Sequence, residues 1–304
     1  MNSKNHKRSP FFYVGDKYKL ISQIKELFPR KIGRFYEPFM GGGTVFLNVE
    51  AKEYFLNDID PNLLDIHKCL IQHSAKANIF FRKIEKLIKK FNLSRSYYED
   101  IVPSEFKTKW KKTYYAKFNK ENYIKMRSEY NSSKKKDPLL LYLLLIYGFN
   151  RMLRFNRSGK FNIPVGNVDF NTNTVSALNG YFEAVTDRKI NLFNEDFKIF
   201  IEKQNFKKDD FVYIDPPYLI TFSEYNKIWN EEQEKELLRI IEDLDKKGVN
   251  FALSNVTHYK GAENRLLISW LKDYNAYDIR SNYISYHNNS LKEIKEVLIT
   301  NYDH

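Results

Sequence analysis

The sequence predicts an α/β protein with a doubly wound, largely parallel sheet and a mainly helical insertion between the two halves of that sheet. Two observations lead to this prediction. Short apolar strand patterns alternate with helical patterns near both ends of the chain, whereas the middle carries mainly helical spacing. In addition, 304 residues suffice for one large domain, or for one domain that holds a sizeable insertion.

The first half of the predicted sheet contributes two strands. Arg34 to Phe39 forms a short strand pattern that runs into a glycine turn, and a helix is expected to begin near Thr44. Glu53 to Leu56 forms the second strand pattern, which ends at Asn57-Asp58. Two strands with a helix between them are the expected start of a parallel sheet.

The middle of the chain is predicted to be helical as far as a β-hairpin. Leu63 to Lys90 has helical spacing, and residues 131–138 form an exposed connection rich in Ser and Lys. Leu139 to Phe149 predicts a buried helix. Arg151 to Val165 then carries apolar alternation on two arms, and Arg157-Ser158-Gly159-Lys160 is the predicted turn between them.

The second half of the predicted sheet follows the hairpin. A helix lies among its strands, with Asn230 as the expected N-cap, acidic residues in the first turn and Gly248 after the last turn. The apolar face of this helix consists of Leu237, Leu238, Ile240, Ile241 and Leu244. The predicted strands are Ile190 to Phe193, Phe211 to Ile214, Val249 to Leu253 and Glu296 to Tyr302.

Composition restricts the classes of function. The formal net charge is +12, and residues 81–136, which we call the basic stretch, hold 17 Lys and Arg against 6 Asp and Glu, along with many aromatic residues. This favours a polyanion partner, because basic side chains near phosphates release counterions; a solvated lysine-rich face is the alternative. The single cysteine, Cys69, argues against disulfides and Cys-based metal sites, and no apolar run approaches the roughly 20 residues that cross a bilayer. We therefore expect a soluble, cytoplasmic protein without a membrane partner or a metal.

A glycine cluster follows the first predicted strand, in Phe35-Tyr36-Glu37-Pro38-Phe39-Met40-Gly41-Gly42-Gly43-Thr44. A strand that meets glycines and then a helix lets backbone approach a ligand without obstruction by Cβ atoms. Asp58, at the end of the next strand, can accept hydrogen bonds from ribose hydroxyls, and Asp60 is the alternative carboxylate. The third glycine of a dinucleotide fingerprint and a phosphate-binding Lys-Ser/Thr are absent from this pattern. The motif thus favours an adenosine-containing cofactor without a pyrophosphate or triphosphate.

The tetrapeptide Asp215-Pro216-Pro217-Tyr218 follows the apolar strand pattern Phe211 to Ile214. Its two prolines fix φ and lack N–H donors, so the chain leaves the sheet stiffly and the carbonyls stay available as acceptors. The lone pair of an exocyclic amine on a base is delocalised into the ring. The Asp215 carboxylate and the Pro216 carbonyl could accept both amino hydrogens and direct that lone pair at an electrophilic methyl, while the flipped base stacks on Tyr218.

These motifs, in this order, resemble the α group of DNA adenine-N6 methyltransferases, the Dam-type or D12 class, over nearly the whole chain. The resemblance implies a Rossmann-like methyltransferase sheet that binds S-adenosylmethionine, formed by residues 1–62 and 188–304, and an inserted target-recognition domain at 63–187. Tyr13, in place of the usual Trp, would pack on the cofactor, and Lys17 would neutralise a carboxylate near it. The catalytic residues implied are Asp215, Pro216, Pro217 and Tyr218. The cofactor contacts implied are Tyr13, Lys17, Glu37, Pro38, Phe39, Gly41, Gly43, Asp58, Asp196, Phe197 and Asp215.

Residues 149–166 resemble the hairpin with which this family contacts DNA. In the family an aromatic residue lies near the target pair and an arginine reads a guanine, which suits the bidentate guanidinium. The resemblance assigns these roles to Phe149 or Asn150 and to Arg154, and it favours a target site that contains GA. Arg151 stands where the family more often has Gly, and it would add a phosphate contact or alter the readout. The DNA contacts implied are Phe149, Asn150, Arg151, Arg154, Asn156, Lys160 and Pro164.

The predicted function is site-specific methylation of adenine N6 in double-stranded DNA by base flipping. We expect a monomer that belongs to a restriction-modification system beside an endonuclease; a solitary or phage-encoded enzyme is the alternative. A cytosine-N4 methyltransferase is one alternative, but such enzymes usually have Ser before Pro-Pro-Tyr. A non-catalytic DNA-binding or specificity subunit is another, against which the intact set of Glu37, Gly41, Gly43, Asp58 and Asp215 argues.

Overall fold

The computed structural model describes residues 6–13, 15–221, 229–280 and 294–304, and the strands of these ranges form one sheet. The strands are Arg34–Glu37 (β1), Glu53–Asn57 (β2), Ile190–Phe193 (β3), Phe211–Ile214 (β4), Asn250–Tyr259 (β5), Ala262–Glu263 (β6), Asn275–Ile279 (β7) and Ile294–Thr300 (β8). The order across the sheet is β3-β2-β1-β4-β5-β8-β7, and β6 pairs only with β5.

The sheet is parallel from β3 to β5, and β8 runs antiparallel to both of its neighbours. The chain builds outward from β1 through β2 to β3, returns to the other side of β1, and continues through β4 to β5. The order of strands therefore reverses between β1 and β4, and ligands of such sheets bind outside the carboxyl ends of the strands at this point. The prediction of an α/β protein with a central, mostly parallel sheet is confirmed.

The predicted strands agree with the structure to different degrees. β1 to β4 lie at the predicted positions, whereas β5 extends six residues beyond the predicted end at Leu253, and β8 begins at Ile294 rather than Glu296. β7 was not predicted, because only its last residue, Ile279, is buried and the strand has little apolar character. It lies at the edge of the sheet and pairs only with β8.

Helices occupy most of the remaining described residues. The predicted amphipathic helix, α10, begins after Asn230, whose side chain accepts hydrogen bonds from the backbone N–H groups of Glu232 and Gln233. Within the described ranges no helix is both long enough and apolar enough to span a membrane. The helices are Ile21–Glu26 (α1), Thr44–Asn48 (α2), Pro61–His73 (α3), Ala77–Lys90 (α4), Ser104–Trp110 (α5), Tyr114–Ser132 (α6), Pro138–Tyr147 (α7), Thr172–Val185 (α8), Phe197–Glu202 (α9), Glu231–Lys246 (α10) and Arg265–Trp270 (α11).

The chain divides into two compact units. One, the sheet unit, consists of Lys17–Met40, Asn48–Ile59 and Arg188–His304 and contains the whole described sheet. The other, the helical unit, consists of Met1–Asp16, Gly41–Leu47 and Asp60–Asp187 and contains α3 to α8. The catalytic and DNA-recognition roles assigned to residues 1–62 with 188–304 and to residues 63–187 stay predictions.

Helix α7 is the core of the helical unit, since every residue from Leu139 to Tyr147 is buried. The predicted helix extends to Phe149, but α7 ends at Tyr147 because Gly148 is extended and the Phe149 side chain is 52% exposed. The single helical stretch expected from Leu63 to Lys90 is two helices, α3 and α4, with a 3-10 turn between them. Cys69 is buried in α3.

The predicted hairpin is confirmed as an antiparallel connection, although its arms lack continuous strands. Isolated bridges join Gly148 to Val165 and Phe155 to Phe161. The ladder between these bridges is interrupted because Asn150 and Arg151 have left-handed φ values of 53° and 49°. Side chains of α6 hold the returning arm: Arg127 Nη1 donates to the Ile163 carbonyl at 3.0 Å, and Asn131 exchanges two hydrogen bonds with the Phe161 backbone.

Candidate active site

Asp215 directly follows β4, beside the point where the order of strands reverses. The preceding strand is buried at every residue, and Pro216 is buried as well, so the position of the carboxylate is determined by the sheet. Among the described residues, the two contacts of this carboxylate are to Lys17 and Tyr218, and both involve Oδ1. Oδ2 is therefore placed to accept hydrogen bonds from a ligand.

Lys17 lies at the centre of a charged cluster in the sheet unit. Its ammonium nitrogen is 2.9 Å from Asp215 Oδ1 and 3.7 Å from Glu296 Oε1, and it donates a hydrogen bond of 2.8 Å to the Tyr218 hydroxyl. That hydroxyl lies 3.0 Å from Asp215 Oδ1 and 3.2 Å from Glu296 Oε1. The structure thus brings three predicted residues together and adds Glu296, which was not among them.

Burial raises the pKa of two members of this cluster, Glu296 and Tyr218. It raises the pKa of Glu296 above that of an ordinary glutamate, although the nearby Lys17 acts in the opposite direction. Burial, reinforced by the charges of Asp215 and Glu296, raises the pKa of the Tyr218 hydroxyl well above its usual value. Tyr218 therefore stays protonated and can act as a donor. One feature of the sequence could have indicated Glu296: it is a carboxylate at the start of a predicted strand that is otherwise largely apolar.

Amide side chains tie together the loops at the carboxyl ends of β1, β2 and β3. Asn57 Nδ2 donates to the carbonyls of Pro38 at 2.9 Å and of Glu195 at 3.0 Å, and its Oδ1 accepts from the Glu195 N–H. Asn194 Nδ2 donates to the Asp58 carbonyl at 2.8 Å. The loops that carry the predicted cofactor residues are therefore cross-linked by hydrogen bonds within the sheet unit.

Aromatic rings cluster beside these loops. The rings of Phe39 and Phe197 are 5.3 Å apart, and both lie within 6 Å of Trp229, at 5.7 and 5.6 Å. Asp196 accepts a hydrogen bond from the Lys198 N–H and so caps α9, which begins at Phe197. Flat apolar surfaces of this kind suit a purine ring. Trp229 was not predicted, because it lies in a segment that matches no strand or motif.

A buried carboxylate holds Trp229 in place. Glu234, in the first turn of α10, is fully buried and accepts hydrogen bonds from Trp229 Nε1 at 2.7 Å, Asn255 Nδ2 at 3.1 Å and Asn264 Nδ2 at 2.9 Å. Neutral donors can satisfy a buried carboxylate when several converge on it. This network joins α10 to β5 and to the start of α11, and it determines the orientation of the indole.

The predicted ribose-binding carboxylates differ in their surroundings. Asp58 follows β2 in the sheet unit and is half-buried, with its backbone carbonyl bound by Asn194. The alternative, Asp60, is the N-cap of α3, and its Oδ1 accepts a hydrogen bond of 2.9 Å from the Asn62 N–H. A capping role accounts for Asp60, whereas Asp58 retains the predicted ligand role.

The glycine turn has a packing reason as well as the predicted ligand role. Gly43 has a φ of 78°, and a Cβ atom there would overlap the Phe46 ring and lie 3.1 Å from His67 Cε1. His67 Nε2 lies 3.0 Å from the Gly41 carbonyl, which makes this nitrogen the donor. Tyr13 lies beside Gly41 within the helical unit. His67 was not predicted as part of this turn.

The predicted DNA-contacting residues lie along the hairpin of the helical unit. Phe149 and Asn150 are exposed at its start, and Lys160 and Pro164 are exposed on the returning arm. Their exposure agrees with a surface role, while contact with DNA stays a prediction.

Two further hairpin residues have identifiable partners. Arg154 Nε donates to Asn162 Oδ1 at 2.9 Å across the hairpin, which orients the guanidinium. Its terminal nitrogens have no hydrogen bond among the described residues, so they are the atoms that could read a base edge. Asn156 Oδ1 accepts from the backbone N–H groups of Ser158 and Lys160 and thereby stabilises the turn.

A model of the D12 class N6 adenine-specific DNA methyltransferase family matches residues 13–285. The chain is 37% identical, over 97% of its length, to the type II methyltransferase M.FokI of Planomicrobium okeanokoites, and 35% identical, over 99%, to the modification methylase StsI of Streptococcus sanguinis. It covers 43% and 44% of those proteins, less than half of each. A DNA adenine methylase of Haemophilus influenzae is 29% identical over 70% of the chain and 64% of that protein.

Proposed function

Because the chain belongs to the D12 class N6 adenine-specific DNA methyltransferase family, we propose that it transfers a methyl group to N6 of adenine in double-stranded DNA. The observation that carries this proposal is the Asp215 carboxylate, which is held at the reversal point of the sheet by Lys17 and Tyr218 through one oxygen only. The other oxygen and the Pro216 carbonyl provide two acceptors for one amino group.

We infer that the methyl donor is S-adenosylmethionine, which supplies an electrophilic methyl on a positively charged sulfur. The residues of the sheet unit fit an adenosine moiety. Phe39, Phe197 and Trp229 offer apolar ring faces for a purine, and Asp58 is a carboxylate suited to ribose hydroxyls. Glu37 is buried at the end of β1 on the same side of the sheet. The cofactor contacts assigned to Tyr13, Gly41 and Gly43 stay predictions.

The residues of the cluster would act by orientation and charge. Lys17 fixes Asp215 and offsets part of its negative charge, so that the carboxylate orients the amino group as a hydrogen-bond acceptor. As the bond from N6 to the methyl forms and the bond from the methyl to sulfur breaks, the surplus amino proton would leave to solvent. Acceptance of both amino hydrogens by Asp215 and Pro216 favours a tetrahedral nitrogen whose lone pair can attack. The anchored hydroxyl of Tyr218 holds its ring in one orientation, on which an extruded adenine can stack.

The substrate that we propose is duplex DNA with a GA-containing site, contacted by the hairpin and read by Arg154. Base flipping is required because the N6 atom of a paired adenine is inside the duplex. The modification methylases among the relatives support a role in a restriction-modification system beside an endonuclease. The predicted monomeric state and cytoplasmic location belong to the same proposal.

The test is transfer of labelled methyl from S-adenosylmethionine to plasmid DNA by the purified chain, followed by analysis of the nucleosides. We expect N6-methyladenine; N4-methylcytosine would favour the alternative enzyme, and unlabelled DNA would refute catalysis and favour a specificity subunit. Asp215→Ala should abolish transfer and retain DNA binding. Asp187→Ala, which removes an exposed carboxylate, is the matched control and should keep full activity.

A further inference from the structure

A cavity of about 520 Å³ opens in the helical unit beside the start of the hairpin. Arg8, Phe12, Asn150 and Arg151 line it, together with residues from the returning arm and from the N-terminus of α8. None of the residues that line it is a member of the charged cluster around Asp215 or of the aromatic cluster around Trp229. Its lining is rich in hydrogen-bond donors, and the exposed Phe149 ring stands at its edge.

Two guanidinium groups stack on one aromatic ring at this cavity. Arg151 Cζ is 3.7 Å from the centre of the Phe12 ring, and Arg8 Cζ is 4.6 Å from it. The ring attracts both cations through its quadrupole, yet the cations repel each other. No acidic side chain forms an ion pair with Arg151 in the part of the chain that the structure describes. Two positive charges are thus held together without a carboxylate at Arg151.

The backbone at this cavity is strained. Phe12, Asn150 and Arg151 have φ values of 49°, 53° and 49°, in the left-handed region that costs residues with a Cβ atom about 1 kcal/mol or more each. Strain of this kind persists only where the surrounding structure enforces it, and it concentrates at functional sites. At Arg151 the strained backbone directs the guanidinium onto the Phe12 ring and towards the cavity.

We propose that this cavity binds a backbone phosphate of the DNA substrate, with Arg151 as the main ligand, Arg8 as the second and Phe12 as the platform that orients both. This inference rests on the proposed function and names a contact within it. A guanidinium presents parallel N–H donors that match two phosphate oxygens, and a phosphate between two arginines removes their repulsion. Burial lowers the pKa of Arg151 to about 10, with Arg8 acting in the same direction, so a bound anion would also relieve that penalty.

The experiment compares the affinity of the full chain for a short DNA duplex as a function of salt concentration, for the wild type and Arg151→Gln. Loss of one phosphate contact should reduce the slope of log affinity against log salt by roughly 0.9 and weaken binding about tenfold at low salt. KM for DNA should rise while kcat at saturating DNA stays unchanged. Arg239→Gln, which removes an exposed arginine from α10, is the charge control and should change neither.

A second variant separates binding from folding. Arg151→Gly relieves the left-handed strain, so its thermal stability should equal or exceed that of the wild type, whereas its DNA affinity should fall as far as that of Arg151→Gln. Wild-type slope and affinity in both variants would overturn the phosphate site while methyl transfer stands. Replacement of chloride by inorganic phosphate at constant ionic strength tests the other source of the ligand. Inorganic phosphate could stabilise the wild type while the Arg151 variants keep the wild-type slope of log DNA affinity against log salt. That result would assign the cavity to free phosphate and would also overturn the proposal.

Discussion

Lys17 supplies one positive charge to two carboxylates, and the side-chain exposures are 6% for Lys17, 3% for Glu296 and 20% for Asp215. Removal of one partner from a buried charged cluster lowers the free energy of unfolding by more than the intact cluster contributes to it, because the remaining charge is left without compensation. The stability of the sheet unit and the orientation of Asp215 therefore depend on the same side chain.

Lys17→Met should lower the free energy of unfolding by about 3 kcal/mol and reduce methyl transfer by at least an order of magnitude, because Asp215 loses its orienting partner. Urea unfolding and initial rates measure the two effects. In the double variant Lys17→Met/Glu296→Gln the more buried of the two carboxylates no longer carries a charge, so stability should recover in part while the rate stays low. Equal recovery of both would show that Lys17 acts only on folding.

His67 is fully buried against the glycine turn, with Nδ1 2.9 Å from the Tyr181 hydroxyl and its ring stacked on Phe11. Burial lowers its pKa from 6.5 to about 4, so the folded chain binds the proton less well than the unfolded chain. The contribution of His67 to the free energy of unfolding is thus fully present above the unfolded pKa of 6.5, and it is lost as the pH falls towards 4.

We expect protonation of His67 to lower the free energy of unfolding by on the order of 3 kcal/mol as the pH falls from the unfolded pKa to the folded pKa, since each unit of pKa shift corresponds to about 1.4 kcal/mol. His67→Gln retains a donor for the Gly41 carbonyl and should flatten the pH dependence of urea unfolding. His304→Gln, at an exposed position, should leave it unchanged. An unaltered pH dependence in His67→Gln would contradict the assignment.

Among the elements, local sequence predicted the parallel strands well because each is a short apolar run bounded by polar or turn residues. β7 was missed because antiparallel pairing at the edge of the sheet tolerates polar residues that carry no local signal. The extension of β5 was missed because Ser254, Asn255 and Thr257 are polar, although the fold buries them. Helix α10 was predicted down to its N-cap, since the capping residue, the apolar face and the glycine after the last turn are all local. The burial of Glu234 in the first turn of this helix was not predicted, because the three groups that donate hydrogen bonds to it come from other segments of the chain.

Glu234→Gln tests the hydrogen bonds that link α10 to the aromatic cluster. The amide places two hydrogens where only donors converge, so at least one partner is left unsatisfied and stability should fall by about 1–3 kcal/mol. Trp229 loses its orientation, and the Kd for S-adenosylmethionine should rise several-fold while DNA affinity is unchanged. Glu232→Gln, exposed on the same helix, is the control. Unchanged cofactor affinity would remove Trp229 from the proposed adenosine site.

For the whole molecule, the net charge is concentrated in the basic stretch, which forms α5, α6 and part of α4 in the helical unit. Some of its lysines are occupied locally: Lys90 pairs with Glu129, and Lys109 and Lys117 stack on Trp110. Others, on α6 and after it, are exposed. The sequence alone could predict the excess of charge but not which lysines face solvent, because that depends on packing against α7.

Neutralisation of Lys120, Lys125, Lys134 and Lys135 to Gln should reduce the salt slope of DNA affinity by about 0.9 for each lysine that contacts a phosphate. A matched variant neutralises the exposed lysines 208, 235, 246 and 272 of the sheet unit and should preserve the slope. If both variants keep the wild-type slope, the basic stretch is a solvated face and the polyanion prediction for it is wrong.

The site could be predicted from the sequence only where its functional residues are consecutive in the chain. Asp215 to Tyr218 and the glycine turn are local motifs, and the resemblance assigned their roles. Glu296 is far along the chain from Lys17, as Trp229 is from Phe39. Arg8 is likewise far from Arg151, so only the fold brings these pairs together. The strain at Arg151 is a property of backbone conformation and leaves no trace in composition or spacing.

The pairing of β1 with β4 has a consequence for the order of folding. Phe35 lies opposite Phe211 in that pair, so the contact that places Asp215 joins segments separated by more than half of the chain. Closure of so long a loop is slow, whereas helix α6 packs against α5 and α7, its neighbours in sequence. We therefore expect the helices to gain protection from hydrogen exchange before the central strands do during refolding, and methyl transfer to return last.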